Sequence, residues 1–567
     1  MMIDARSLAD GESITADLCI VGAGAAGIAL ANELADAPFR TVLLESGGLT
    51  LEPETQRLNE GTSSGLDYFP LVGARLRYFG GTTNHWGGTC RPFDEADLRG
   101  TEGVPDTAWP ITLSDLAPYY DEAGRIAQLD SSEWDVDTWA GRSRFGPLPL
   151  DPEAIETRVA LIVDPTRRSF NTVYADEIAD APRVTTYLNA NVVDVRLSDD
   201  HATVRDLVVA TPGRTFTVTA RRFVLAAGGI ENPRILLASN RQQPNGVGNG
   251  EGLVGRYFLE HPRFIGGIIE PLGEAVSFSF YEQHLVEGSR VLGYLALAEG
   301  LRESEGLVDV QMRLFPILTG PHERARRSAE VEALRRLVEG VRGGSGRGNL
   351  ADDAGRVLDD LTSWRRLLVP GGGLPVPQPD LVRIIAEASP EQLDALLPEF
   401  FGDIAVFGYG EVSGSPPVER IEISTRIDQA PNPDSRVTLG TERDEFGMPR
   451  PNLDWRLSPI DRESVDRALQ VLGQELGRTG IGRLRVRLSE GEGWPSDLEG
   501  GYHHMGTTRM SADPKRGVVD ADCRVHGVSN LYVAGSSTFT TGGSATPTLT
   551  LIALALRLAD HLRAEIG

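Results

Sequence analysis

Three glycines close to the N-terminus have the spacing of a phosphate-binding turn. Gly22, Gly24 and Gly27 form the pattern GxGxxG directly after a short apolar run, Leu18–Val21. Gly22 would make a tight turn, Gly24 would let the backbone approach a pyrophosphate, and Gly27 would let a helix pack closely on the strand. The first N–H groups of that helix would then bind the phosphates. The pattern predicts a dinucleotide site.

A carboxylate ends the same unit. Glu45 follows a second apolar run, Thr41–Leu44. There it can accept hydrogen bonds from both ribose hydroxyls, and it would repel a 2′-phosphate. A lone GxGxxG is weak evidence, because a plain glycine-rich loop has the same letters. The two flanking strands and the acidic end favour a βαβ unit that binds a dinucleotide.

A second glycine-rich loop follows within residues 71–92. Gly80-Gly81 and Gly87-Gly88 bracket the residues from Thr82 to Trp86, so the backbone can fold closely around something flat. A loop of this composition is either a surface turn or a clamp for a cofactor. Its residues alone do not decide between the two.

Two later segments are predicted to return the chain to the first unit. A buried run over 222–225 leads to Gly228-Gly229 and a helix over 232–239. Near the C-terminus, a strand over 531–534 ends at Gly535, and Pro547 precedes an apolar helix over 548–562. The N–H groups of that last helix would point at whatever lies in front of Ala545 and Thr546.

The middle of the chain has a different pattern. Alternation over 184–210 predicts a β-meander, and Thr112 or Ser114 would cap a helix that begins near them. We expect a first domain over 1–263 with inserted pieces, a substrate domain over 264–490 on a mixed or antiparallel sheet, and a return to the first domain over 491–567. The substrate domain is predicted to contain strands over 291–298, 308–314, 403–426, 436–439 and 451–456, helices over 322–341 and 462–477, and a flexible break over 343–349.

Composition excludes some classes of function. The 567 residues are 40% hydrophobic, enough for two sizeable cores, and the net charge of −26 argues against general nucleic-acid binding. The acidic surface either keeps the protein in solution or attracts cationic substrates. Cys19, Cys90 and Cys523 lie far apart, which predicts neither disulfides nor a metal site. We expect a cytoplasmic protein with no membrane span and no metal.

Taken together, the motifs resemble those of the glucose-methanol-choline (GMC) oxidoreductases. The matching blocks are VGAGAAG with Glu45, GGTTNHWGG, LAAGGIENPRILLAS, and the C-terminal HHMGTTRM, VVDADCRVHGVSNLYVAGSS and TPTLT. They cover about half of the chain, and their order is more specific than any one motif. The resemblance implies an α/β fold (α+β overall), with a Rossmann-like FAD-binding domain and a second substrate domain. It also implies FAD as cofactor and oxidation of an alcohol by hydride transfer to flavin N5.

The resemblance also implies roles for particular residues. His503 corresponds to the catalytic histidine, whose imidazole has a suitable pKa for taking the hydroxyl proton. Its neighbour His504 should point elsewhere if the segment is extended. Val192 or Val193 would contact adenine through the backbone. The full set of implied cofactor-binding residues is Gly22, Gly24, Ala25, Ala26, Gly27, Glu45, Ser46, Gly81, Thr82, Asn84, His85, Trp86, Gly87, Gly88, Val193, Ala227, Gly228, Gly535, Ser536, Thr546, Pro547 and Thr548.

Thr546 and His85 bear on catalysis and on the attachment of the flavin. Thr546 stands where the family usually has Asn or a second His; its hydroxyl can donate to a substrate oxygen but cannot act as a base, so catalysis would depend more on His503. Asn84-His85-Trp86 resembles the sugar-oxidising branch of the family, that of pyranose oxidase, where such a histidine can bond covalently to the flavin. We favour noncovalent FAD, with covalent attachment through His85 as the alternative.

Three functions remain open at this point. The preferred one is oxidation of a sugar, glycoside, aminoglycoside or other polyol, with oxygen, a quinone or another molecule as electron acceptor. The alternatives are a non-oxidative, lyase-like use of the flavin scaffold, and an electron-transfer subunit that works with a redox partner. NAD is disfavoured, because the C-terminal blocks belong with flavin enzymes. The substrate and the oligomeric state are not predicted.

Overall fold

The described residues form four β-sheets. The structure, a computed structural model, describes residues 1–272, 277–318, 418–488 and 493–567. The helix predicted over 322–341, the break over 343–349 and the first part of the strand predicted over 403–426 lie outside the described residues. The strands, in chain order, are β1 Met2–Asp4, β2 Ser13–Thr15, β3 Leu18–Val21, β4 Thr41–Leu44, β5 Thr62–Gly65, β6 Thr89–Cys90, β7 Ile155–Ile162, β8 Val184–Leu188, β9 Asn191–Leu197, β10 Val204–Thr211, β11 Arg214–Thr219, β12 Arg222–Leu225, β13 Arg263–Pro271, β14 His284–Val286, β15 Ser289–Leu297, β16 Val310–Leu318, β17 Val418–Ile427, β18 Arg436–Arg443, β19 Pro449–Trp455, β20 Gly482–Val486 and β21 Leu531–Val533.

Helices connect and cover these sheets. Predicted Thr112 does cap a helix, through a capping box in which Asp115 reaches back to the Thr112 N–H. In the described parts of the chain, no helix is long and apolar enough to cross a bilayer. The described α-helices are α1 Ala25–Glu33, α2 Pro53–Gln56, α3 Glu95–Arg99, α4 Leu113–Ile126, α5 Val136–Arg142, α6 Phe170–Asp180, α7 Gly228–Ala238, α8 Glu299–Ser304, α9 Pro459–Thr479 and α10 Thr548–Ile566.

A six-stranded parallel sheet forms the first layer. Its strand order is β1-β8-β4-β3-β12-β21. Every residue of β3 and of β4 is buried, as expected of strands covered on both faces. Helix α10 packs on α1 and α4 beside this sheet. The predicted Rossmann-like arrangement is confirmed.

A smaller sheet, ordered β2-β11-β10-β9, stands next to the first. The meander predicted over 184–210 is therefore correct only in part. Strand β8 pairs in parallel with β4 and β1 in the large sheet, and the antiparallel run begins at β9. The alternating pattern of a short strand does not show which strand it will pair with, because the partner of β8 lies far back in the sequence.

The second large sheet is antiparallel, as predicted. Its order is β20-β13-β17-β16-β15-β7-β6, with β14 paired to β15, and helix α9 packs on it. Strands β6 and β7 come from within residues 1–263, so pieces of that range complete this sheet. The domain boundaries themselves stay a prediction.

Two main apolar clusters fill the space between the layers. One joins the parallel sheet to α1, α4 and α10, and the other fills the interior between the antiparallel sheet and α9. The fourth sheet, β18-β19-β5, packs its Trp455 into a minor cluster. The two main layers therefore have separate cores, and a cleft lies where they meet.

Candidate active site

A cavity of about 1100 Å³ lies between the two large sheets. Its walls include residues that follow the carboxyl ends of β3, β4, β12 and β21, together with side chains from β13, β16 and β17. Ligands of open α/β sheets bind outside the carboxyl ends of the strands. Sites for one small molecule usually measure roughly 300–1000 Å³, so this cleft has room for a large cofactor and a substrate.

Most of the residues singled out in the sequence line this cleft. Gly27 and Asn84 do not. The predicted residues in its wall are Gly22, Gly24, Ala25, Ala26, Glu45, Ser46, Gly81, Thr82, His85, Trp86, Gly87, Gly88, Val193, Ala227, Gly228, His503, Gly535, Ser536, Thr546, Pro547 and Thr548.

The three glycines of the turn meet different surroundings. Gly22 has φ +105°, and a Cβ there would lie 2.7 Å from the carbonyl oxygen of Ala226. A Cβ on Gly27 would lie 1.8 Å from the carbonyl oxygen of Gly22. A Cβ on Gly24 would meet no described atom within 4 Å and would project into the cleft. Gly22 and Gly27 thus serve packing, and Gly24 keeps space open for a ligand.

Glu45 is held by the backbone of two adjoining loops. Its Oε2 accepts a hydrogen bond from the N–H of Ala23 at 2.8 Å, and its Oε1 accepts one from Gly47 at 2.9 Å. The side chain is buried, which raises its pKa. Each carboxylate oxygen retains a second lone pair that can accept from a ligand hydroxyl.

Two helix N-termini also face the cleft. Gly24 and Pro547 are the N-cap positions of α1 and α10, and neither cap makes a side-chain hydrogen bond in the described structure. Residues in the first turn of both helices line the cavity. Uncapped first-turn N–H groups and the positive end of the helix dipole suit a phosphate. The donor set therefore fits a dinucleotide.

An arginine cluster that the sequence analysis did not identify adds positive charge nearby. Glu231 lies 2.8 Å from Arg77 Nη2, 2.9 Å from Arg234 Nη1 and 3.5 Å from Arg75 Nη2. Burial would raise the pKa of Glu231, but the three guanidinium groups lower it to about 2. All four side chains line the cleft. Their net positive charge complements an anionic cofactor.

The loop with two glycine pairs lies against the cleft, with one correction to its predicted contacts. Asn84 donates to the carbonyl oxygen of Phe79 at 2.9 Å and accepts from Ser169 Oγ at 2.6 Å, so it holds the loop together from behind instead of lining the cavity. His85 does line it. Burial lowers the pKa of His85 to about 4, which leaves a neutral imidazole at neutral pH.

His503 lies at the other end of the cleft, against a second histidine. Its Nδ1 is 2.7 Å from Nδ1 of His261, and the rings are nearly perpendicular, with centroids 4.9 Å apart. Burial, followed by the proximity of His261 and Arg426, holds the pKa of His503 well below its usual value. At neutral pH the ring is uncharged and able to take a proton.

The neighbouring histidine has different partners. His504 Nε2 lies 2.9 Å from the hydroxyl of Tyr68, which in turn donates to Glu260 Oε2 at 2.5 Å. The other oxygen of Glu260 accepts from the N–H groups of both His261 and His503, each at 2.8 Å. The buried carboxylate of Glu260 therefore contacts Tyr68 through one oxygen and the backbones of both His261 and His503 through the other.

Thr546 differs from its expected role. Its hydroxyl donates to the carbonyl oxygen of Thr89, so its single proton is already engaged within the protein. The expectation that this proton binds a substrate oxygen would require that bond to break. The residue does line the cleft next to the N-terminus of α10.

Sequence reasoning missed His261, Glu260 and Tyr68. The adjacent Glu260-His261 pair directly before Pro262 was the available signal, because a carboxylate beside an imidazole can take part in acid–base chemistry. Missed as well was the wall that the antiparallel sheet contributes. It consists of residues on three neighbouring strands: Arg263, Phe264 and Ile265 on β13, Arg313, Leu314 and Phe315 on β16, and Arg420, Glu422, Ser424 and Arg426 on β17.

Comparison with known proteins gives a consistent result. Residues 431–555 match the sequence model of the family described as GMC oxidoreductase. The 6'''-hydroxyparomomycin C oxidase of Streptomyces lividus is 28% identical over 97% of this chain and 92% of its own length. The fructose dehydrogenase large subunit of Gluconobacter japonicus is 22% identical over 97% of this chain and 98% of its own. A solved formate oxidase from Aspergillus oryzae RIB40, studied for modification of its FAD, superposes with a TM-score of 0.52 at 16% identity, covering 98% of this chain and 99% of that one.

The fold places a cleft whose donors suit a dinucleotide next to the antiparallel sheet. The family match over 431–555 and the similarity to relatives along nearly the whole chain confirm the predicted resemblance to the GMC oxidoreductases. The predictions of FAD as cofactor and of an enzyme that oxidises an alcohol group are therefore confirmed.

Proposed function

We propose that this enzyme oxidises one hydroxyl of a polyhydroxylated small molecule, such as a sugar, glycoside, aminoglycoside or other polyol, with His503 as the base. The observation that carries the proposal is the position of His503, held against His261 in the wall of the same cleft that the glycine turn and Glu45 line. FAD, when bound, supplies the hydride acceptor.

The proposed cofactor contacts follow from the geometry of the cradle. Gly24 and the N-termini of α1 and α10 would hold the pyrophosphate, and Glu45 would accept from the ribose. The backbone at Val193 would contact the adenine. The Gly81–Gly88 loop would lie beside the flavin ring, with Gly535 and Ser536 near the ribityl chain. We propose noncovalent binding, and release of the yellow colour on denaturation tests it against a bond to His85.

His503 would act on the substrate hydroxyl. Hydride leaves a carbinol carbon readily only as its hydroxyl loses a proton, so a base must reach that oxygen. A side chain protonated at neutral pH could not accept the proton. The lowered pKa of His503 keeps its ring neutral, which supports this role.

The wall opposite the cradle supports a hydroxyl-rich substrate. Glu422, Ser424 and Arg426 project from one face of β17 into the cleft, since alternate residues of a strand share a face. Next to His503, the rings of Phe69 and Tyr502 stack with centroids 4.0 Å apart and an interplanar angle of 10°. Polar groups beside an aromatic face suit a molecule with both hydroxyl groups and C–H surfaces. Two relatives are named for a hydroxyparomomycin and for fructose, which agrees with this class.

The electron acceptor and the cellular compartment are part of the same proposal. Oxygen, a quinone or a redox partner could reoxidise the flavin, and one full-length relative is named as a large subunit. All three cysteines are buried and unpaired, which supports a reducing compartment, the cytoplasm.

The test is an anaerobic absorbance titration of the holoenzyme with pools of sugars, glycosides, aminocyclitols and simple alcohols. Bleaching of the flavin band by a polyhydroxylated pool is the expected result, and readmitting air then distinguishes an oxidase from a dehydrogenase. Bleaching by simple alcohols alone would overturn the substrate class. A product formed with no change in the flavin spectrum would favour the non-oxidative alternative.

A further inference from the structure

We propose that His261 is a positioning residue that fixes the tautomer of His503, so that Nδ1 of His503 carries the proton and Nε2 is the bare nitrogen that accepts one. The inference rests on the proposed function, because it states which nitrogen of that base acts. The hydrogen bonds of the two rings and of Glu260, together with the burial of these groups, support it.

The first bond fixes the proton on His261. Its Nε2 lies 2.6 Å from the carbonyl oxygen of Gly543. A carbonyl oxygen can only accept a hydrogen bond, so Nε2 of His261 must be the donor. Gly543 lies in the loop just before α10. The backbone of that loop therefore fixes the orientation of the His261 ring.

The second bond determines which nitrogen of His503 carries the proton. A neutral imidazole carries one N–H, so with Nε2 protonated, Nδ1 of His261 is a bare acceptor. It faces Nδ1 of His503 at 2.7 Å, which must then be the donor. The ring of His261 is fully buried, and burial lowers its pKa to about 3, in agreement with a neutral ring.

The third contact holds the backbones of the two histidines at a fixed distance from each other. Glu260 Oε1 accepts from the backbone N–H of His261 and from that of His503, so two segments far apart in the chain are held by one oxygen. Tyr68 donates to the other oxygen of the same carboxylate. The histidine pair is therefore supported by a fixed frame and does not depend on ring–ring attraction alone.

The consequence for chemistry concerns Nε2 of His503. When the substrate O–H bond breaks, an N–H bond forms at this nitrogen, and the ring becomes an imidazolium. The Nδ1–H of that imidazolium still donates to the bare Nδ1 of His261, so the bond is kept and strengthened by the charge. Without His261, the proton of His503 can occupy Nε2, and the nitrogen proposed to accept the substrate proton is then blocked.

Two substitutions of His261 separate its two bonds. In His261→Asn, the amide oxygen can occupy the place of Nδ1 and accept from His503, whereas the bond to Gly543 is lost. In His261→Gln, the amide nitrogen can occupy the place of Nε2 and donate to Gly543, whereas the acceptor for His503 is lost. Because general-base catalysis contributes about 10²–10⁴-fold, we expect flavin reduction to slow by about 10²-fold in His261→Gln and by less than about fivefold in His261→Asn. Equal losses in both variants, or the reverse order, would overturn the proposal.

A spectroscopic measurement tests the tautomer without turnover. In the oxidised holoenzyme labelled with ¹⁵N-histidine, the signals of His503 are assigned by their loss in His503→Ala. We expect a protonated Nδ1 and a bare Nε2 on His503 in the wild type and in His261→Asn, and not in His261→Gln. A proton on Nε2 of wild-type His503 would contradict the positioning role even if alcohols reduce the flavin. If the tautomer is as expected and no alcohol reduces the flavin, the proposed function fails and the positioning of His503 stands.

Discussion

The two ends of the cleft are built in different ways. At the proposed nucleotide end, the turn and its glycines come from one βαβ unit, and backbone groups and the N-terminus of α10 supply most of the remaining wall. At the histidine end, side chains from segments near residues 68, 260, 426 and 503 meet at one point. A backbone site depends on local spacing, whereas a side-chain site depends on tertiary packing.

This difference has a functional meaning. The cradle must bind a cofactor that is the same in every turnover, and a rigid local motif suffices for that. The histidine end must hold a titratable group in one protonation state and one tautomer, which requires burial and several partners. We therefore expect substitutions at the two ends to affect different properties of the enzyme.

The largest effect is expected from a matched pair of glycine substitutions. Gly27→Ala puts a Cβ 1.8 Å from a carbonyl oxygen, so we expect a loss of about 3 kcal/mol or more in the free energy of unfolding and little folded protein. Gly24→Ala meets no described atom, so it should fold and yet purify with little FAD. Circular dichroism and the ratio of flavin to protein absorbance measure both. Full flavin content in Gly24→Ala would show that the cradle does not hold the cofactor as proposed.

The same contrast explains what the sequence could predict. Strands β3 and β4 and the roles of Gly22 and Gly27 were predictable because they depend on neighbours within a few residues. The contact between His261 and His503 spans 242 residues and follows no spacing rule. Asn84 could serve a cofactor or its own loop equally well by its chemistry, and only packing with Ser169 decides.

The next effect concerns the frame behind the histidines. Tyr68→Phe removes the donor to Glu260 Oε2 and leaves a fully buried carboxylate with one partner fewer. We expect a loss of about 1.5–3 kcal/mol, because hydrogen bonds to charged groups contribute that much. Thermal unfolding of the holoenzyme measures it, with Tyr119→Phe, whose hydroxyl bonds Asp560 at the surface, as the matched control. An equal change in the free energy of unfolding in both variants would mean that the bond between Tyr68 and Glu260 contributes no more than the surface bond of Tyr119.

A smaller effect is expected from pH. An ordinary imidazole with a pKa near 6.5 would lose about tenfold of its neutral form between pH 8 and pH 5.5. The pKa of His503 is held well below that value, so its base form persists, and the limiting rate of flavin reduction should change by less than about twofold over this range. A tenfold fall centred near pH 6.5 would contradict the burial of His503.

The rate of flavin reduction at low pH has to be measured by rapid mixing, because the free energy of unfolding also falls as the pH is lowered. The pKa values of His85, His261 and His504 are lowered to about 4, 3 and 3 by burial. The unfolded chain therefore takes up protons first as the pH falls below 6.5. The stability that these neutral rings contribute is present above pH 6.5 and is lost progressively toward pH 3–4. If the enzyme is kept at pH 8 and mixed into the assay buffer, the rate of flavin reduction is measured before the protein unfolds.

The smallest effect is expected at Thr546. Because its hydroxyl donates to Thr89, Thr546→Val should cost about 1 kcal/mol of stability, and it should change the rate of flavin reduction by less than about threefold. Thr546→Ser, which keeps the hydroxyl, is the control. A hundredfold slower reduction in Thr546→Val alone would mean that this hydroxyl acts on the substrate.

The central claim is tested most directly by stopped-flow reduction of the bound flavin under anaerobic conditions, with the alcohol that bleaches the wild type. His503→Ala is compared with His201→Asn, which changes a histidine in a surface turn whose φ of +60° Asn tolerates. The account predicts full flavin content in both variants, a rate lower by about 10²–10⁴-fold in His503→Ala, and a wild-type rate in His201→Asn. Reduction of the His503→Ala flavin at the wild-type rate would contradict it.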